Sequence, residues 1–240
     1  MIHWTTHPDY EALSQQAVRL LLGLLRDKPN ALICLASGST PKRTYELLAE
    51  YGVREPAHFA GCRMIKLDEW GGVPMDDPAT CEMQLRNQLI TPLSLADRYT
   101  SFHSDPSEPA AECKRISTWL EDNGPIDLCV LGLGTNGHLG FNEPADMLQP
   151  HAHVAQLSES SLSHAMLNST HRRPTFGLTL GMADLLNAQA ILLLVSGPAK
   201  RGPFERLLKA EISTAFPASL LHLHPRVTVL CDADACPSNA

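Results

Sequence analysis

Short apolar runs alternate along the chain with segments whose apolar residues recur at helical spacing. In the first such segment, leucines and alanines recur at intervals of three and four, which predicts a helix from Tyr10 to Leu25. The polar residues Lys28 to Asn30 then end that helix. The next run, Ala31 to Ala36, is short and continuously apolar, as is typical of a strand buried on both faces of a sheet.

The same alternation continues along the chain and predicts a doubly wound fold. Strands are predicted at residues 31–36, 63–67, 126–131, 153–157, 190–195 and 227–231. Helices are predicted at residues 10–25, 44–50, 81–90, 109–121 and from about 200 to 210. The polar stretches predict a turn at residues 68–72 and a frayed tail at residues 231–240. Strands alternating with helices imply a three-layer α/β fold, in which a mostly parallel sheet has helices on both faces. No linker interrupts the pattern, so a single domain is expected over residues 1–240.

The composition excludes some classes of function. Hydrophobic residues make up 44% of the 240 residues and charged residues 19%, so the chain can bury a full core. The formal net charge is −7, from 19 basic and 26 acidic residues, which disfavours a surface built for nucleic acid or anionic lipid. An anionic substrate must therefore be held by a few local groups.

The cysteines and the N-terminal segment bear on the compartment. The seven cysteines are odd in number and form no CxxC pair, so reduced thiols and a cytoplasmic location are expected. The N-terminal segment has neither a basic start nor an apolar stretch, so no signal peptide is expected. The longest apolar runs fall far below the roughly 18 residues that a membrane span needs.

Polar segments follow several of the predicted strands, where ligands bind in doubly wound sheets. Four residues, Ser37, Gly38, Ser39 and Thr40, lie between a strand and a helix, and the N-terminal N–H groups of a helix attract phosphate. Lys200 follows another strand, and its ammonium would complete a phosphate clamp. The structural alternatives are an ordinary capped turn and a solvated lysine.

Two further segments carry groups that can move protons. Asp68 and Glu69 follow a strand, where an acidic pair suits proton transfer; alternatively, Asp68 caps the next turn. His138 lies in a glycine-rich loop after a buried strand, with Asn136 and Glu143 nearby. This arrangement predicts a His–carboxylate pair in which the carboxylate holds the ring.

Metal binding and serine chemistry are disfavoured. The HxH pairs at residues 151/153 and 222/224 have no matching set of cysteines or carboxylates, so they are expected to be surface or packing histidines. Neither GxSxG nor a second nucleophile motif occurs. We therefore expect no metal site, and we expect no organic cofactor either, because the proton transfers to which these groups are suited need none.

Taken together, these segments resemble the amino-sugar-phosphate deaminase/isomerase family. SGSTP, KLDEW, LGLGTNGHLGFNEP, SGPAK and LHLHP occur in the family's order and cover the chain from about residue 10 to about residue 234. The chain is similar to the bacterial galactosamine-6-phosphate isomerase/deaminase branch through KLDEW, TCE and DLCVLGLG. The related 6-phosphogluconolactonases share the fold and a GH loop but lack FNEP.

The resemblance implies a role for each candidate residue. Asp68 would move a proton between C2 and C1 of an open-chain sugar. His138 would open the sugar ring, with Glu143 orienting and polarising its imidazole. The groups implied to hold the sugar and its 6-phosphate are Gly132, Ser37, Gly38, Ser39, Thr40 and Lys200.

The sequence departs from the family's pattern in two places. Asn136 stands where glucosamine-6-phosphate deaminases often carry an aspartate. Because an amide has no negative charge, a positioning role is implied for Asn136, and Glu143 must supply the charge that stabilises the His138 imidazolium. The stretch around residues 158–167 has no arginine where relatives place one that reaches the phosphate. Met166 falls near that position, and Arg172 or Arg173 is the alternative source. The chain also ends soon after the last predicted strand, so allosteric regulation is not expected.

The resemblance predicts an enzyme that converts galactosamine 6-phosphate to tagatose 6-phosphate and ammonia. The alternatives are deamination of glucosamine 6-phosphate to fructose 6-phosphate, hydrolysis of 6-phosphogluconolactone, and non-catalytic binding of a sugar phosphate. The expected partner is thus a small-molecule amino-sugar phosphate, and the oligomeric state is left open.

Overall fold

The computed structural model describes residues 2–163, 165–170 and 172–237. Within this part of the chain, strands β1 to β10 are formed in order by His3–His7, Leu32–Leu35, Arg63–Lys66, Asp68–Gly71, Tyr99–Thr100, Leu128–Gly132, His153–Ala155, Phe176–Thr179, Ile191–Val195 and Val227–Asp232. Helices α1 to α7 are formed in order by Tyr10–Asp27, Ser39–Arg54, Cys81–Leu85, Pro109–Asn123, Glu159–Leu162, Met182–Leu186 and Arg201–Leu208. A π-helical turn at Arg86–Ile90 continues α3, and short 3₁₀ helices lie at Pro56–Phe59, Ala96–Arg98, Ala165–Ser169, Pro198–Lys200 and Pro217–Leu223.

The main sheet has seven parallel strands in the order β1-β10-β9-β6-β2-β3-β5. The next strands of this sheet, β3 and β5, lie on one side of β2. The later strands β6, β9 and β10 lie on its other side. The strand order therefore reverses between β2 and β6. In a doubly wound sheet, this reversal opens a crevice at the carboxyl ends of the strands.

Helices cover both faces of this sheet, as the sequence predicted. Alternate strand residues enter different cores: Ile33 and Leu35 pack with α1, α2 and α3, whereas Leu32 and Cys34 pack with α4, α6 and α7. Because both faces are buried, the strands need apolar residues at every position. This requirement accounts for the continuous apolar runs in the sequence.

The structure corrects three sequence-based predictions. Residues 68–71, predicted as a turn, form β4, which pairs antiparallel with β8 in a second sheet of order β4-β8-β7. Residues 3–7 form an edge strand, β1, that the polar sequence HWTTH does not signal. Within the described residues the predicted tail is folded and not frayed: β10 extends to Asp232, and Ala235 is fully buried. Residues 238–240 of that tail lie outside the described residues.

Two predictions from composition can be compared with the structure. All seven cysteines are free thiols; six are buried and Cys236 is half-buried. In the described part of the chain, no helix is long and apolar enough to cross a membrane.

A buried ion cluster joins β3, β4 and α3. Lys66, the last residue of β3, places its Nζ 2.6 Å from Glu69 Oε2 and 2.8 Å from Glu82 Oε2. It also donates to the Phe102 carbonyl oxygen at 3.0 Å. All three charged residues are at most 1% exposed. Burial acts to lower the pKa of Lys66, but the two carboxylates outweigh it and raise that pKa, so the side chain stays an ammonium.

Replacing Lys66 by methionine would leave two buried carboxylates facing each other without their shared counter-charge. We expect Lys66→Met to lower the free energy of unfolding at pH 7 by about 3–5 kcal/mol, since breaking a buried ion pair strands a charge. Urea denaturation followed by circular dichroism measures this change. Lys114→Met, at an exposed position of α4, is the control. A loss no larger than that of an exposed ion pair, about 1 kcal/mol, would contradict the role given to the cluster.

Candidate active site

A cleft of about 380 Å³ opens at the carboxyl ends of β2, β3, β6 and β9, beside the reversal in strand order. Most of the residues predicted for the site line it, namely Ser37, Gly38, Ser39, Thr40, Asp68, Gly132, His138 and Lys200. The other two, Asn136 and Glu143, lie behind His138 and contact each other. The fold thus brings together segments that are up to 163 residues apart in sequence, from residue 37 to residue 200.

Asp68 stands where the chain leaves the main sheet. It is the first residue of β4 and pairs with Thr179 of β8, which places its carboxyl group in the cleft. The residue is 8% exposed, and no described residue makes a hydrogen bond to its Oδ1 atom. Burial, followed by the negative charge of Glu69, raises the pKa of Asp68 to about 7, against the opposing effect of Lys66. A carboxyl group in this state can accept and release a proton near neutral pH.

Glu69, predicted with Asp68 as an acidic pair, does not line the cleft. Its carboxylate is fully buried and accepts hydrogen bonds from Lys66 Nζ and from the main-chain N–H groups of Trp70, Cys81 and Glu82. Cys81 and Glu82 begin α3, so Glu69 satisfies N–H groups that a helix leaves free. Successive residues of a strand point to opposite faces, which separates the two carboxyl groups.

His138 reaches the cleft from a loop that requires glycine. The Cβ of any other residue at position 134 would lie 2.4 Å from Cδ2 of the imidazole ring. Gly134 also donates its N–H to the His138 carbonyl oxygen at 3.0 Å, which closes the loop. Asn142, two residues after Gly140, donates to the carbonyl oxygens of Leu139 and Leu180. The loop is therefore pinned to the end of β8.

Glu143 and Asn136 support the imidazole from behind. His138 Nδ1 lies 3.3 Å from Glu143 Oε2, a charge contact that is not aligned as a hydrogen bond. Asn136 donates its amide to the same oxygen at 2.8 Å and accepts the His138 main-chain N–H at 3.1 Å. The hydroxyl groups of Ser158 and Ser161 donate to the other oxygen, Oε1. Although burial opposes ionisation, His138 and these donors hold the pKa of Glu143 at about 2.

Groups suited to an anion lie in the same cleft. Ser39 and Thr40 begin α2, and the first N–H groups of a helix have no partner within it. Lys200 is half-buried and forms no ion pair within the described residues, and burial lowers its pKa. An ammonium without a protein counter-ion, beside hydroxyl groups and a helix N-terminus, can bind a phosphate group.

Neither arginine proposed to replace the family's phosphate-binding arginine lines the cleft. Arg172 instead places its Nη1 atom 3.7 Å from Asp105 Oδ2 on an exposed surface. Met166 does line the cleft, where it packs against a cluster that includes Trp70 and Phe141. Among the described residues, this side of the cleft therefore combines an apolar surface with the hydroxyl groups of Ser161 and Ser163.

Sequence reasoning missed two residues that hold the anion-binding segments. Gln84 of α3 forms two hydrogen bonds with the main chain of Gly38, one of the residues that the resemblance implies for holding the phosphate. Asp232 accepts hydrogen bonds from Ser196 Oγ and from the Gly197 N–H, in the turn that leads to Lys200. Asp232 directly follows the last predicted strand, residues 227–231, and a polar residue at that end of a strand was a signal for it. No pattern in the sequence signals Gln84.

The HxH histidines make other contacts. His222 and His224 approach the carbonyl oxygens of Leu207 and Ala188, each at 2.7 Å, and His151 lies 2.9 Å from Asp184. Among the residues that the structure describes, no group of three or more histidine, cysteine or acidic side chains could hold a metal ion.

Comparison with known proteins shows the family of the chain. Residues 8–230 match the model of the family described as "Glucosamine-6-phosphate isomerases/6-phosphogluconolactonase". A provisionally named deaminase of Escherichia coli (strain K12), AgaI, is 45% identical over 217 residues, which cover 90% of this chain and 86% of that protein. Glucosamine-6-phosphate deaminase 1 of Bacillus subtilis (strain 168) is 35% identical over 229 residues, which cover 94% of this chain and 95% of that protein.

A solved structure has the same fold over nearly the whole chain. The structure of a monomeric glucosamine-6-phosphate deaminase gives a TM-score of 0.92 at 34% sequence identity, covering 97% of this chain and 98% of that one. The sequence matches and this structural match agree with each other. The chain is therefore an enzyme that belongs to the glucosamine-6-phosphate isomerase/6-phosphogluconolactonase family.

Proposed function

We propose that this enzyme converts galactosamine 6-phosphate and water to tagatose 6-phosphate and ammonia. The observation that carries the proposal is one cleft whose lining combines the Asp68 carboxyl group, the His138 imidazole and the anion-binding groups around Lys200. A proton-transfer pair and a phosphate site in one small cleft suit a sugar phosphate that reacts at the carbons far from its phosphate group.

The 6-phosphate binds to Lys200, to the hydroxyl groups of Ser37, Ser39 and Thr40, and to the first N–H groups of α2. Gly132 contacts the sugar through its main chain. The phosphate does not react, so its binding energy serves to orient C1 and C2. Orientation matters here because the open-chain sugar is rare in solution and must be held in a reactive geometry.

His138 opens the ring by moving a proton between the anomeric and ring oxygens. Glu143 is ionised at neutral pH and stabilises the imidazolium that forms during this transfer. Asn136 is a positioning residue, because its amide directs Glu143 Oε2 towards the ring.

Asp68 then carries out the isomerisation. Its carboxylate takes the proton from C2 of the open-chain aldose while a proton of the substrate's ammonium group passes to O1, which gives an enolamine, and the proton held by Asp68 then returns to C1. C2 is now an iminium carbon, to which water adds, and the resulting carbinolamine releases ammonia and leaves the ketone at C2. Atoms balance with water as the second substrate, and no oxidant is consumed.

The choice of galactosamine 6-phosphate rests on the resemblance of the KLDEW, TCE and DLCVLGLG segments to the galactosamine branch. Glucosamine 6-phosphate, with fructose 6-phosphate as the product, is the alternative. The curated relatives named as glucosamine-6-phosphate deaminases keep that alternative open. The two substrates differ only in the configuration at C4.

The proposal predicts ammonia release that depends on Asp68. With purified protein, we expect a higher kcat/KM for galactosamine 6-phosphate than for glucosamine 6-phosphate, measured by coupled detection of ammonia. Asp68→Asn removes the base and is expected to lower kcat by at least about a hundredfold. Asp122→Asn, at an exposed position of α4, is the matched control and should leave the rate unchanged.

Each alternative has its own result in this assay. A preference for the glucosamine epimer would correct the substrate and keep the mechanism. Hydrolysis of 6-phosphogluconolactone without ammonia release would point to a lactonase. Binding of the amino-sugar phosphates without turnover would point to a non-catalytic binding protein, and ammonia release unaffected by Asp68→Asn would contradict the mechanism.

The pKa of Asp68 predicts the acid side of the pH–rate profile. Because the carboxyl group must be ionised to take the C2 proton, kcat/KM should rise with pH and level off above about 7. The substrate phosphate also ionises, near pH 6, so the binding of inorganic phosphate is measured over the same range as a control. A profile that stays flat below pH 7 after this correction would exclude Asp68 as the base.

The same shift predicts that Asp68 lowers stability at high pH. Its pKa is about 7 in the folded protein against an ordinary value of 3.8, so the folded state loses stability as pH rises through this window. We expect Asp68→Asn to raise the free energy of unfolding at pH 8 by at most about 4 kcal/mol and to change it little below pH 4. Urea denaturation at both pH values measures the difference. Equal effects at the two pH values would exclude the raised pKa.

A further inference from the structure

The Gln84 side chain forms a reciprocal pair of hydrogen bonds with a single residue of the anion-binding loop. Gln84 Oε1 accepts the Gly38 N–H at 3.0 Å, and Gln84 Nε2 donates to the Gly38 carbonyl oxygen at 2.7 Å. A primary amide carries a donor and an acceptor side by side and so matches the N–H and C=O groups of one residue. The orientation of the amide follows from its partners, since a flipped amide would place donor against donor and acceptor against acceptor.

Gly38 is the residue whose conformation brings the chain into α2. Its φ of 103° lies in the left-handed region, which side chains other than glycine rarely adopt. Its position sets the direction of the N–H groups of the next two residues, Ser39 and Thr40. Because Gln84 occupies the Gly38 N–H, an anion must be held by those following groups and by Lys200.

Gln84 is itself held on a rigid support. Its helix, α3, begins at Cys81, and the Glu69 carboxylate accepts the N–H groups of Cys81 and Glu82 at 2.9 and 2.8 Å. Glu69 directly follows Asp68 and is fully buried. A continuous set of contacts, buried at Glu69 and partly buried at Gln84, therefore joins the segment of the candidate base to the candidate anion-binding loop.

We propose that Gln84 is a positioning residue for phosphate binding, which fixes the Gly38 peptide groups so that the N-terminus of α2 is preorganised for the anion. Gln84 does not line the cleft and touches no substrate. Its contribution is the order that it imposes on the loop before the ligand arrives, which lowers the entropy cost of binding. The inference rests on the proposed function in taking the ligand to be a sugar phosphate.

The test compares Gln84→Met with Gln88→Met. Gln88 lies one turn further along the same helical segment. Among the described residues its side chain hydrogen-bonds to Gln84 and not to Gly38, so it is a matched control. Gln84→Met removes both bonds to Gly38. We expect the Kd of inorganic phosphate, measured by calorimetric titration, and the KM of the amino-sugar phosphate to rise about tenfold, whereas kcat changes less than about threefold. Gln88→Met should leave all three values unchanged.

A second variant keeps the test valid if Gln84→Met fails to fold. Gln84→Glu is nearly isosteric, but its carboxylate faces the Gly38 carbonyl oxygen and brings a negative charge close to the anion. It should weaken phosphate binding by more than Gln84→Met does. Melting temperatures are measured alongside, because a merely structural role would lower them and leave the Kd of phosphate as in the wild type.

The outcomes separate this inference from the proposed function. Unchanged phosphate binding in both Gln84 variants would overturn the inference and leave the proposed function standing. If the wild-type protein releases no ammonia but both Gln84 variants bind phosphate more weakly than it does, the inference is supported and the proposed function is rejected. A wild-type protein that binds no phosphate would overturn both.

Discussion

A single ammonium group enclosed by two carboxylates is the constraint on which the candidate site depends. Lys66, Glu69 and Glu82 are all buried, and a buried charge that lost its partner would cost several kcal/mol. Three segments must therefore lie next to one another: the end of β3, the start of β4 and the first turn of α3. Asp68 lies between Lys66 and Glu69 in sequence, so the same requirement determines where its carboxyl group emerges.

This cluster also shapes the electrostatics of the cleft. The charge of Glu69 adds to burial in raising the pKa of Asp68, so a structural carboxylate affects the neighbouring group in the cleft. The contacts behind His138 have the opposite effect: they lower the pKa of Glu143, which must stay ionised, whereas the pKa of Asp68 is raised. Asn136 Nδ2 lies 2.8 Å from Glu143 Oε2, and an aspartate at this position would place a second carboxylate against the first. A neutral amide therefore suits the contacts that surround Glu143 in this chain.

The other part of the cleft combines one half-buried cation, Lys200, with neutral donors. Lys200 is partly desolvated, and around it lie hydroxyl groups and the N-terminus of α2 rather than further cationic groups of the described chain. Both loops that carry these groups are held from outside the cleft, by Gln84 at Gly38 and by Asp232 at Gly197. Donors held in place before a ligand arrives need less reorganisation when it binds. Rigidly held donors in the two loops thus compensate for the absence of further cationic groups among the described residues around Lys200.

The sequence by itself determined the order of most elements, the layered α/β fold and the segments that meet at the cleft. These features follow from local patterns, because a strand buried on both faces needs a continuous apolar run, and parallel strands end at one edge of the sheet. Only the tertiary structure decided that residues 68–71 form a strand, that Glu69 turns away from Asp68, and that Gln84 and Asp232 hold the two loops. Gln84 is 46 residues from Gly38, and Asp232 is 36 from Ser196. Such hydrogen bonds depend on which elements pack together, and a local pattern of apolar and polar residues does not contain that information.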